Sequence, residues 1–202
     1  ELEAVIDEAH RNGLPITAHA TLDAAVRRVL QFGIDCVEHG GAMSDETIGL
    51  LVKRGVPIVT TFSPMVLQSD PEIARRHGLP EWKIKERQQA MADPNRFADL
   101  VRAAQAGVPI AFGMDAGSPA VTHGKVAPEM QFMVKLGLVD GPYGAIHSAT
   151  DTSARLNRLE SSLGTLEAGK LADVVVVSGN PLDDLQALSQ VQMTFQSGRR
   201  VV

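Results

Sequence analysis

Apolar residues recur along the first half of the chain in short runs, each of which follows a stretch with helical periodicity. Every run begins directly after a glycine that ends the stretch before it: Gly13, Gly33, Gly55 and Gly107. The runs are rich in β-branched residues, which is typical of a buried parallel strand that follows a helix. We therefore predict strands over 14–19, 34–38, 56–60 and 108–112. Connections this short between helix and strand imply a parallel sheet with right-handed crossovers.

Helices with one apolar face are predicted between and after these strands. Ser44 is a good N-cap for one of them, because its hydroxyl can accept a hydrogen bond from a free backbone N–H of the first turn. The predicted helices cover 1–12, 23–32, 45–54, 96–106, 125–136 and 142–157.

The repeat is interrupted over 62–95, where four prolines surround a charged helix predicted from Glu81 to Ala92. An insertion of this size after a strand is usually functional, as a lid or a specificity loop. Its basic run, Arg75 to His77, is open to two interpretations. It could face an acidic group on a substrate, or it could be a solvated basic turn.

From Gly164 onwards, strands are predicted without helices between them. These strands cover 172–177, 191–195 and 199–202. Strands of this kind belong to a separate small β-layer rather than to a helix–strand repeat. We therefore predict one unit over 1–160 and a second, β-rich unit over 161–202.

The composition is that of an ordinary globular protein, with 44% hydrophobic and 21% charged residues and a formal net charge of −5. The chain has no surplus of cationic residues that would indicate binding to nucleic acid or to anionic lipid. No apolar run approaches the ~18 residues of a membrane span. We therefore expect neither nucleic acid nor a membrane as a partner. The single cysteine, Cys36, lies in an apolar strand and is interpreted as a buried, inert thiol.

The length of 202 residues is below the ~250 residues of a closed eight-stranded barrel. The chain also begins at Glu1 in what the periodicity indicates is the middle of a helix. We therefore expect a C-terminal fragment whose true N-terminus is not in view. A cytoplasmic location is favoured, although no targeting segment can be judged without that terminus.

Residues that carry chemistry stand at the ends of three of the four predicted strands. His19 and His39 end the first two, and Asp115 follows the fourth in a glycine-rich loop. Because the C-terminal ends of strands in a β/α barrel converge on one face, we expect these side chains to be neighbours. Two imidazoles and a carboxylate suit Zn²⁺ and related ions, and three ligands with an open position make a catalytic site. The pattern predicts a metal-hydrolase site.

Asp115 is the predicted catalytic residue of this site. A bound divalent ion brings the pKa of its water close to neutrality. A carboxylate beside that water could bind the metal, take the proton and pass it to the leaving group. His123, just beyond Asp115, lies in the loop expected to face the site. A substrate-binding role for His123 and a structural role both fit its position.

Four segments resemble the metal-dependent amidohydrolase superfamily, in the imidazolonepropionase-like branch that includes Xaa-Pro dipeptidase (prolidase)-like enzymes. These segments are Ile16–Ala20, Val37–Gly40, Gly113–Gly117 and Gly164–Asp173. The resemblance covers essentially the whole chain and implies an α/β fold. That fold would be the C-terminal half of a TIM-type (β/α)8 barrel, strands five to eight, followed by part of a small β-sandwich domain. It also implies that His19 and His39 end strands five and six and that Asp115 ends strand eight.

The same resemblance implies a divalent metal cofactor, expected to be zinc, as one or two ions. Family members also carry a His-x-His on strand one and, in binuclear members, a carboxylated lysine on strand four. Neither occurs in this chain, and Met114 stands where family members commonly have a threonine. We therefore expect that the chain does not hydrolyse a substrate by itself.

Three hypotheses about function remain open at this stage. The first is a hydrolase that cleaves the C–N bond of a small amide or dipeptide with metal-activated water. The second keeps the fold and changes the reaction to deamination or to hydrolysis of a cyclic amide, since fold does not decide between them. The third is a non-catalytic half-barrel whose exposed strand edges pair with a second copy in a homo-oligomer.

Overall fold

The computed structural model describes residues 1–202 and contains two separate β-sheets. The larger sheet is parallel, and its four strands lie side by side in chain order. These strands are β1 (Thr17–Ala20), β2 (Cys36–His39), β3 (Ile58–Thr60) and β4 (Ile110–Phe112). All four predicted strands of the parallel sheet are therefore present.

Each of these strands begins two or three residues later than predicted, and prolines account for much of the difference. Pro15, Pro57 and Pro109 stand just before β1, β3 and β4. Proline has no backbone N–H and therefore cannot donate to the hydrogen-bond ladder of a sheet. Its carbonyl can still accept, as Pro57 does from the backbone N–H of Val37 at 3.1 Å.

Ten α-helices surround the parallel sheet and fill the insertion. They are α1 (Leu2–Arg11), α2 (Asp23–Gln31), α3 (Asp45–Arg54), α4 (Ser63–Ser69), α5 (Pro71–Arg76), α6 (Glu81–Ala92), α7 (Ala98–Gln105), α8 (Ala127–Leu136), α9 (Gly141–His147) and α10 (Ser153–Leu156). The charged helix α6 has the bounds that the sequence predicts. The single helix predicted over 142–157 is instead divided by a π-helical turn, Ser148–Thr152.

Side-chain hydroxyls explain this division of the predicted helix. Thr150 donates its hydroxyl to the carbonyl of Ile146 at 2.8 Å, and Ser153 donates to the carbonyl of Ser148 at 2.7 Å. Such bonds compete with the regular helical ladder and locally change the backbone. The apolar periodicity carries no signal for this competition, so the sequence predicted one continuous helix.

The start of α3 is joined to the start of α2 by Asp23. Ser44 caps α3 as predicted, accepting from the backbone N–H of Thr47 at 3.3 Å. One Asp23 carboxylate oxygen accepts from the Ser44 backbone at 2.7 Å and from the Ser44 hydroxyl at 2.9 Å. The backbone bond from Ser44 is the main reason that the pKa of Asp23 lies far below its usual range. Asp23 therefore holds the loop between β2 and α3 in place.

We expect Asp23→Asn to lower the free energy of unfolding by about 1.5 kcal/mol at pH 7, the scale of a hydrogen bond to a charged group. Because the folded-state pKa is depressed, this contribution is present above the unfolded carboxyl pKa of about 3.9 and is lost as the pH falls below it. Urea unfolding at pH 7 and pH 3 measures the difference. Asp7→Asn, which alters an exposed carboxylate of α1, is the control. An equal loss at both pH values would contradict the prediction.

The insertion between β3 and α7 forms α4, α5 and α6. Its basic run lies at the surface, where Arg75 pairs with Glu81 at 2.6 Å and Arg76 with Glu72 at 2.7 Å. These residues are exposed and belong to local ion pairs. The interpretation of a solvated basic turn is therefore the one that fits.

The main core lies where helices pack against the parallel sheet. Its largest fully buried side chains include Ile6 of α1, Leu30 of α2, Leu51 of α3 and Ile58 of β3. A smaller cluster contains Cys36 with Val59 and Ala111. Cys36 is buried as predicted, and burial raises the pKa of its thiol to about 12. The thiol is therefore protonated and unreactive at neutral pH.

The second sheet is antiparallel, in the order β5-β6-β7. Its strands are β5 (Val174–Val177), β6 (Val191–Gln196) and β7 (Arg199–Arg200), so the three strands predicted after Gly164 are present. Ser197 and Gly198 form the hairpin turn, with φ values of 49° and 77°. The division of the chain at 160/161 stays a prediction. None of the helices has the length and apolar character needed to cross a membrane.

Candidate functional site

Two histidines meet at the C-terminal edge of the parallel sheet. His19 and His39 stand near the ends of the neighbouring strands β1 and β2, where the register pairs His19 with Glu38 and Ala20 with His39. The two imidazole rings approach edge to face, with centroids 4.4 Å apart. Parallel pairing in chain order therefore brings together side chains that are 20 residues apart in the sequence.

Asp115 joins this pair from the loop that follows β4. Its carboxylate oxygen Oδ2 lies 4.0 Å from Nδ1 of His39, and about half of its side chain is exposed. His39 and Asp115 both have left-handed backbone conformations, with φ values of 71° and 51°. The structure thus gathers His19, His39 and Asp115 at the mouth of one cleft of about 570 Å³, which all three line.

The chemistry of these donors suits a divalent metal, but the three side chains do not form a closed set of ligands. No group of three or more His, Cys, Asp or Glu side chains is arranged so that it could hold a metal ion. Nδ1 of His39 is instead hydrogen-bonded to the hydroxyl of Thr61. Two imidazoles and one carboxylate are donors of the kind that metal sites use, but they are fewer than a closed set of ligands requires.

The electrostatic surroundings keep His39 in the form that binds metals. Burial lowers the pKa of His39, and the nearby Asp115 carboxylate opposes that effect only in part. His39 is therefore neutral at pH 7, and a neutral imidazole is the form that can donate a lone pair to a metal.

The insertion and the segment that leads into α7 form one wall of the cleft. Arg87 of α6 and Arg96 both line it. Phe62 and Phe97 also line the cleft and pack against Phe132, with ring centroids 4.9 to 5.7 Å apart. The insertion therefore contributes cations and apolar surface to the cleft, as expected of a specificity element.

His123, the predicted substrate-binding residue, lies elsewhere. It is exposed in the loop that precedes α8 and does not line the cleft. The structure therefore brings together the three predicted metal-site residues and leaves His123 outside the group. Its role in substrate binding stays a prediction without support from this placement.

Glu129 of α8 is a buried carboxylate that sequence reasoning missed. It is 1% exposed and accepts hydrogen bonds from the backbone N–H groups of Phe62 and Ser63 at 2.8 and 2.6 Å, and from the Ser63 hydroxyl at 2.6 Å. Burial raises the pKa of Glu129, although the Ser63 and Phe62 hydrogen bonds oppose the rise. Glu129 therefore holds the start of α4 beside the cleft. The sequence does indicate that Glu129 is buried, because it lies four residues before the buried Met133 and therefore on the same face of α8.

Comparisons with known proteins identify the family to which the chain belongs. Residues 1–201 match the model of the amidohydrolase family. Ochratoxinase of Aspergillus niger is 31% identical over 196 residues, which cover 94% of this chain and 38% of that protein. An uncharacterized protein of Mycobacterium tuberculosis is 36% identical over 138 residues, which cover 68% of this chain and 36% of that protein.

Among solved structures, a Xaa-Pro dipeptidase with methionine bound in its active site is 32% identical, with a TM-score of 0.79. The match covers 99% of this chain and 48% of the dipeptidase chain. The chain therefore spans less than half the length of these relatives, and its α/β fold matches the corresponding part of them.

Proposed function

The chain belongs to the amidohydrolase family, and from this premise we propose that it forms part of a metal-dependent hydrolase that cleaves a C–N amide or peptide bond in a small molecule. The observation that carries the proposal is the meeting of His19, His39 and Asp115 at one cleft. In this proposal β1 to β4 correspond to strands five to eight of a (β/α)8 barrel. Residues 161–202 would then belong to a small β-sandwich domain.

Two imidazoles and a carboxylate at this edge favour a metal site that uses these residues, with zinc as the proposed ion. A divalent metal, when bound, activates water and polarises the scissile carbonyl. His19 and His39 would supply imidazole nitrogens, and the hydroxyl of Thr61 would orient the His39 ring through Nδ1. The remaining donors of a complete site would come from other strands of the barrel.

Asp115 is proposed to move the proton during the reaction. Its carboxylate is partly exposed and lies beside His39, so it can reach both a ligand position and the water that attacks the substrate. It would accept a proton from that water and donate it to the departing amine nitrogen. This transfer lets the amine leave as a neutral group.

The proposed substrates are dipeptides and N-acyl amino acids. Two observations support this class: the likeness to a Xaa-Pro dipeptidase, and the two arginines in the wall of the cleft. In these substrates the scissile amide lies next to a free carboxylate. A cleft lined by two histidines, Asp115 and two arginines fits such a molecule.

The proposal is tested by hydrolysis assays on the intact gene product, prepared without metal and then loaded with Zn²⁺. The panel contains a dipeptide, an N-acyl amino acid, a cyclic amide and an aminopyrimidine. We expect hydrolysis of the first two only, with loss of activity on chelation and recovery on adding Zn²⁺. Opening of the cyclic amide or release of ammonia from the aminopyrimidine, without hydrolysis of the dipeptide or the N-acyl amino acid, would overturn the proposal.

Metal affinity provides a test that does not depend on turnover. We expect His19→Ala to weaken Zn²⁺ binding by at least about 10²-fold, because changes to residues that only orient ligands already cost 10–100-fold. Competition with a chromogenic chelator measures this affinity. His123→Ala is the matched control and should bind Zn²⁺ as the parent does, since His123 is exposed outside the cleft. Equal affinity in His19→Ala and the parent would remove His19 from the metal site.

A further inference from the structure

We propose that Arg87 binds an anionic group of the substrate, namely a free carboxylate, and that the buried Gln68 holds Arg87 in place by joining it to the Asp115 loop. This inference rests on the proposed function and extends it to the part of the substrate that does not react. It assigns binding to Arg87 and positioning to Gln68. Both residues come from the insertion, Gln68 from α4 and Arg87 from α6.

The first observation is that the charge of Arg87 meets mainly neutral partners. Its Nε donates to the side-chain oxygen of Gln68 at 3.2 Å, and its Nη1 approaches the sulfur of Met65 at 3.0 Å. Glu86 forms an ion pair with Arg87 at 3.6 Å, but it is shared with Lys83, which binds it more closely at 2.9 Å, so Glu86 offsets the charge of Arg87 only in part. An amide and a thioether do not neutralise a guanidinium, so a positive charge remains at the wall of the cleft.

The acidic residues of the cleft do not supply the missing counter-charge. Asp99 pairs with Arg102 and accepts from the backbone N–H of Met43. Asp93 accepts from the backbone N–H of Asn95 at 2.8 Å, and Asp115 lies beside His39. None of these three aspartates forms an ion pair with Arg87. The partner that would complete Arg87 is therefore an anion from outside the protein.

Gln68 gives Arg87 a fixed position. It is 3% exposed, and its amide nitrogen donates to the Ser118 hydroxyl and to the Pro119 carbonyl, both at 3.0 Å. Its amide oxygen accepts from Arg87, so both ends of the buried amide are used. Arg96, the other arginine of the cleft, is exposed and has no such support. This difference is the reason that we assign anion binding to Arg87.

The same amide links anion binding to the catalytic loop. Ser118, which Gln68 contacts, donates its backbone N–H to the carbonyl of Asp115 at 3.1 Å. A continuous set of hydrogen bonds therefore runs from Arg87 through Gln68 and Ser118 to Asp115. A substrate carboxylate held by Arg87 would thus be placed relative to the residue that moves the proton. A guanidinium suits this task because it can form two parallel hydrogen bonds to one carboxylate.

The experiment compares a free-carboxylate substrate with its C-terminal amide in the intact, Zn²⁺-loaded gene product. We expect Arg87→Gln to lower kcat/KM for the carboxylate substrate by about 30-fold, mainly through KM, and to change the amide by less than threefold. Loss of a charge-assisted contact has this scale. Arg75→Gln is the matched control, because Arg75 lies in the same insertion but pairs with Glu81 at the surface. Equal losses on both substrates, or no loss on either, would overturn the assignment.

Gln68→Glu tests the positioning role. The new carboxylate would neutralise Arg87 and would no longer donate to Ser118 and Pro119. We expect the preference for the carboxylate substrate over its amide to fall at least tenfold, and kcat for both substrates to fall because the Asp115 loop loses its support. Circular dichroism and the urea midpoint establish that the variant is folded. An unchanged preference in a folded Gln68→Glu variant would contradict the positioning role.

A binding measurement separates failure of this inference from failure of the proposed function. Calorimetry compares an N-acetyl amino acid with its amide in the wild type and in Arg87→Gln. We expect the wild type to bind the carboxylate at least tenfold more tightly and Arg87→Gln to bind both equally. If no substrate is hydrolysed and this difference persists, the proposed reaction is wrong and the assignment of Arg87 stands. If hydrolysis occurs and the difference is absent, the proposed reaction stands and the assignment of Arg87 is wrong.

Discussion

Replacing Asp115 with asparagine is expected to lower kcat for amide hydrolysis by about 10³-fold in the intact gene product. Asparagine has nearly the same shape and can still offer an oxygen, but it cannot take a proton from water at neutral pH. General acid–base groups contribute 10²–10⁴-fold to catalysis, which sets the size of the effect. Steady-state kinetics on Zn²⁺-loaded protein measures it, with the metal content determined on the same sample.

The control for this prediction is Asp93→Asn, which alters another aspartate of the same cleft. The Asp93 carboxylate accepts a hydrogen bond from the backbone N–H of Asn95, so we expect kcat to remain within threefold of the parent. Unchanged turnover in Asp115→Asn would remove Asp115 from the mechanism. If Asp115→Asn also loses Zn²⁺, the kinetics are repeated at saturating Zn²⁺, where recovery of the parental kcat would contradict the role in proton transfer.

Replacing Glu129 with alanine is expected to lower the free energy of unfolding by about 3 kcal/mol or more. The change leaves three buried donors without an acceptor: the backbone N–H groups of Phe62 and Ser63 and the Ser63 hydroxyl. A buried polar group that loses its partner costs about 1–3 kcal/mol, so three of them exceed an ordinary substitution. Urea unfolding at pH 7 measures the change.

Ser63→Ala is the matched control, because it removes the hydroxyl and leaves both backbone donors bound to Glu129. We expect it to cost about 1 kcal/mol, the usual value of one hydrogen bond. A loss below 1 kcal/mol for Glu129→Ala would mean that water or a rearranged α4 satisfies these donors. That outcome would remove Glu129 as the anchor of this wall of the cleft.

The pH dependence of Glu129 provides an independent check. Burial raises its pKa in the folded state, so the folded protein retains this proton to a higher pH than the unfolded chain does. The resulting stability is fully present below the unfolded carboxyl pKa of about 4.3 and is lost as the pH rises through the folded value. We expect Glu129→Gln to lack this decline, which urea unfolding between pH 4 and 7 can measure. An identical pH profile in both proteins would contradict the assignment.

Much of the parallel sheet could be predicted because its signal is local. A glycine that closes each helix and a β-branched run that follows it are enough to locate β1 to β4 and to order them. His19, His39 and Asp115 could be placed together for the same reason, since parallel strands in chain order share one C-terminal edge. The predicted starts of the strands are less accurate. A proline before a strand continues the apolar run, but it has no backbone N–H to donate to the hydrogen-bond ladder of the sheet.

The wall of the cleft that the insertion forms could not be predicted. Arg87, Gln68 and Glu129 act through contacts between segments 19 to 67 residues apart, and no periodicity connects these segments. The charge of the basic run at Arg75 made contact with an acidic substrate group one possible interpretation, but Arg75 forms a surface ion pair instead. His123 was predicted to face the site because it follows Asp115 closely, but it does not line the cleft. Within the insertion and the loop after Asp115, closeness in the sequence therefore does not predict which residues line the cleft.

The left-handed backbone at His39 and Asp115 has a consequence for protein engineering. Residues with a Cβ atom are held there at a cost of about 1 kcal/mol each, and glycine would relieve it. A selection for heat resistance alone would therefore favour glycine at both positions, and under the proposed function the survivors would be more stable and inactive. Libraries built on this scaffold should keep residues 39 and 115 constant. The stability that glycine would add at these positions is then the stability that the proposed site costs the protein.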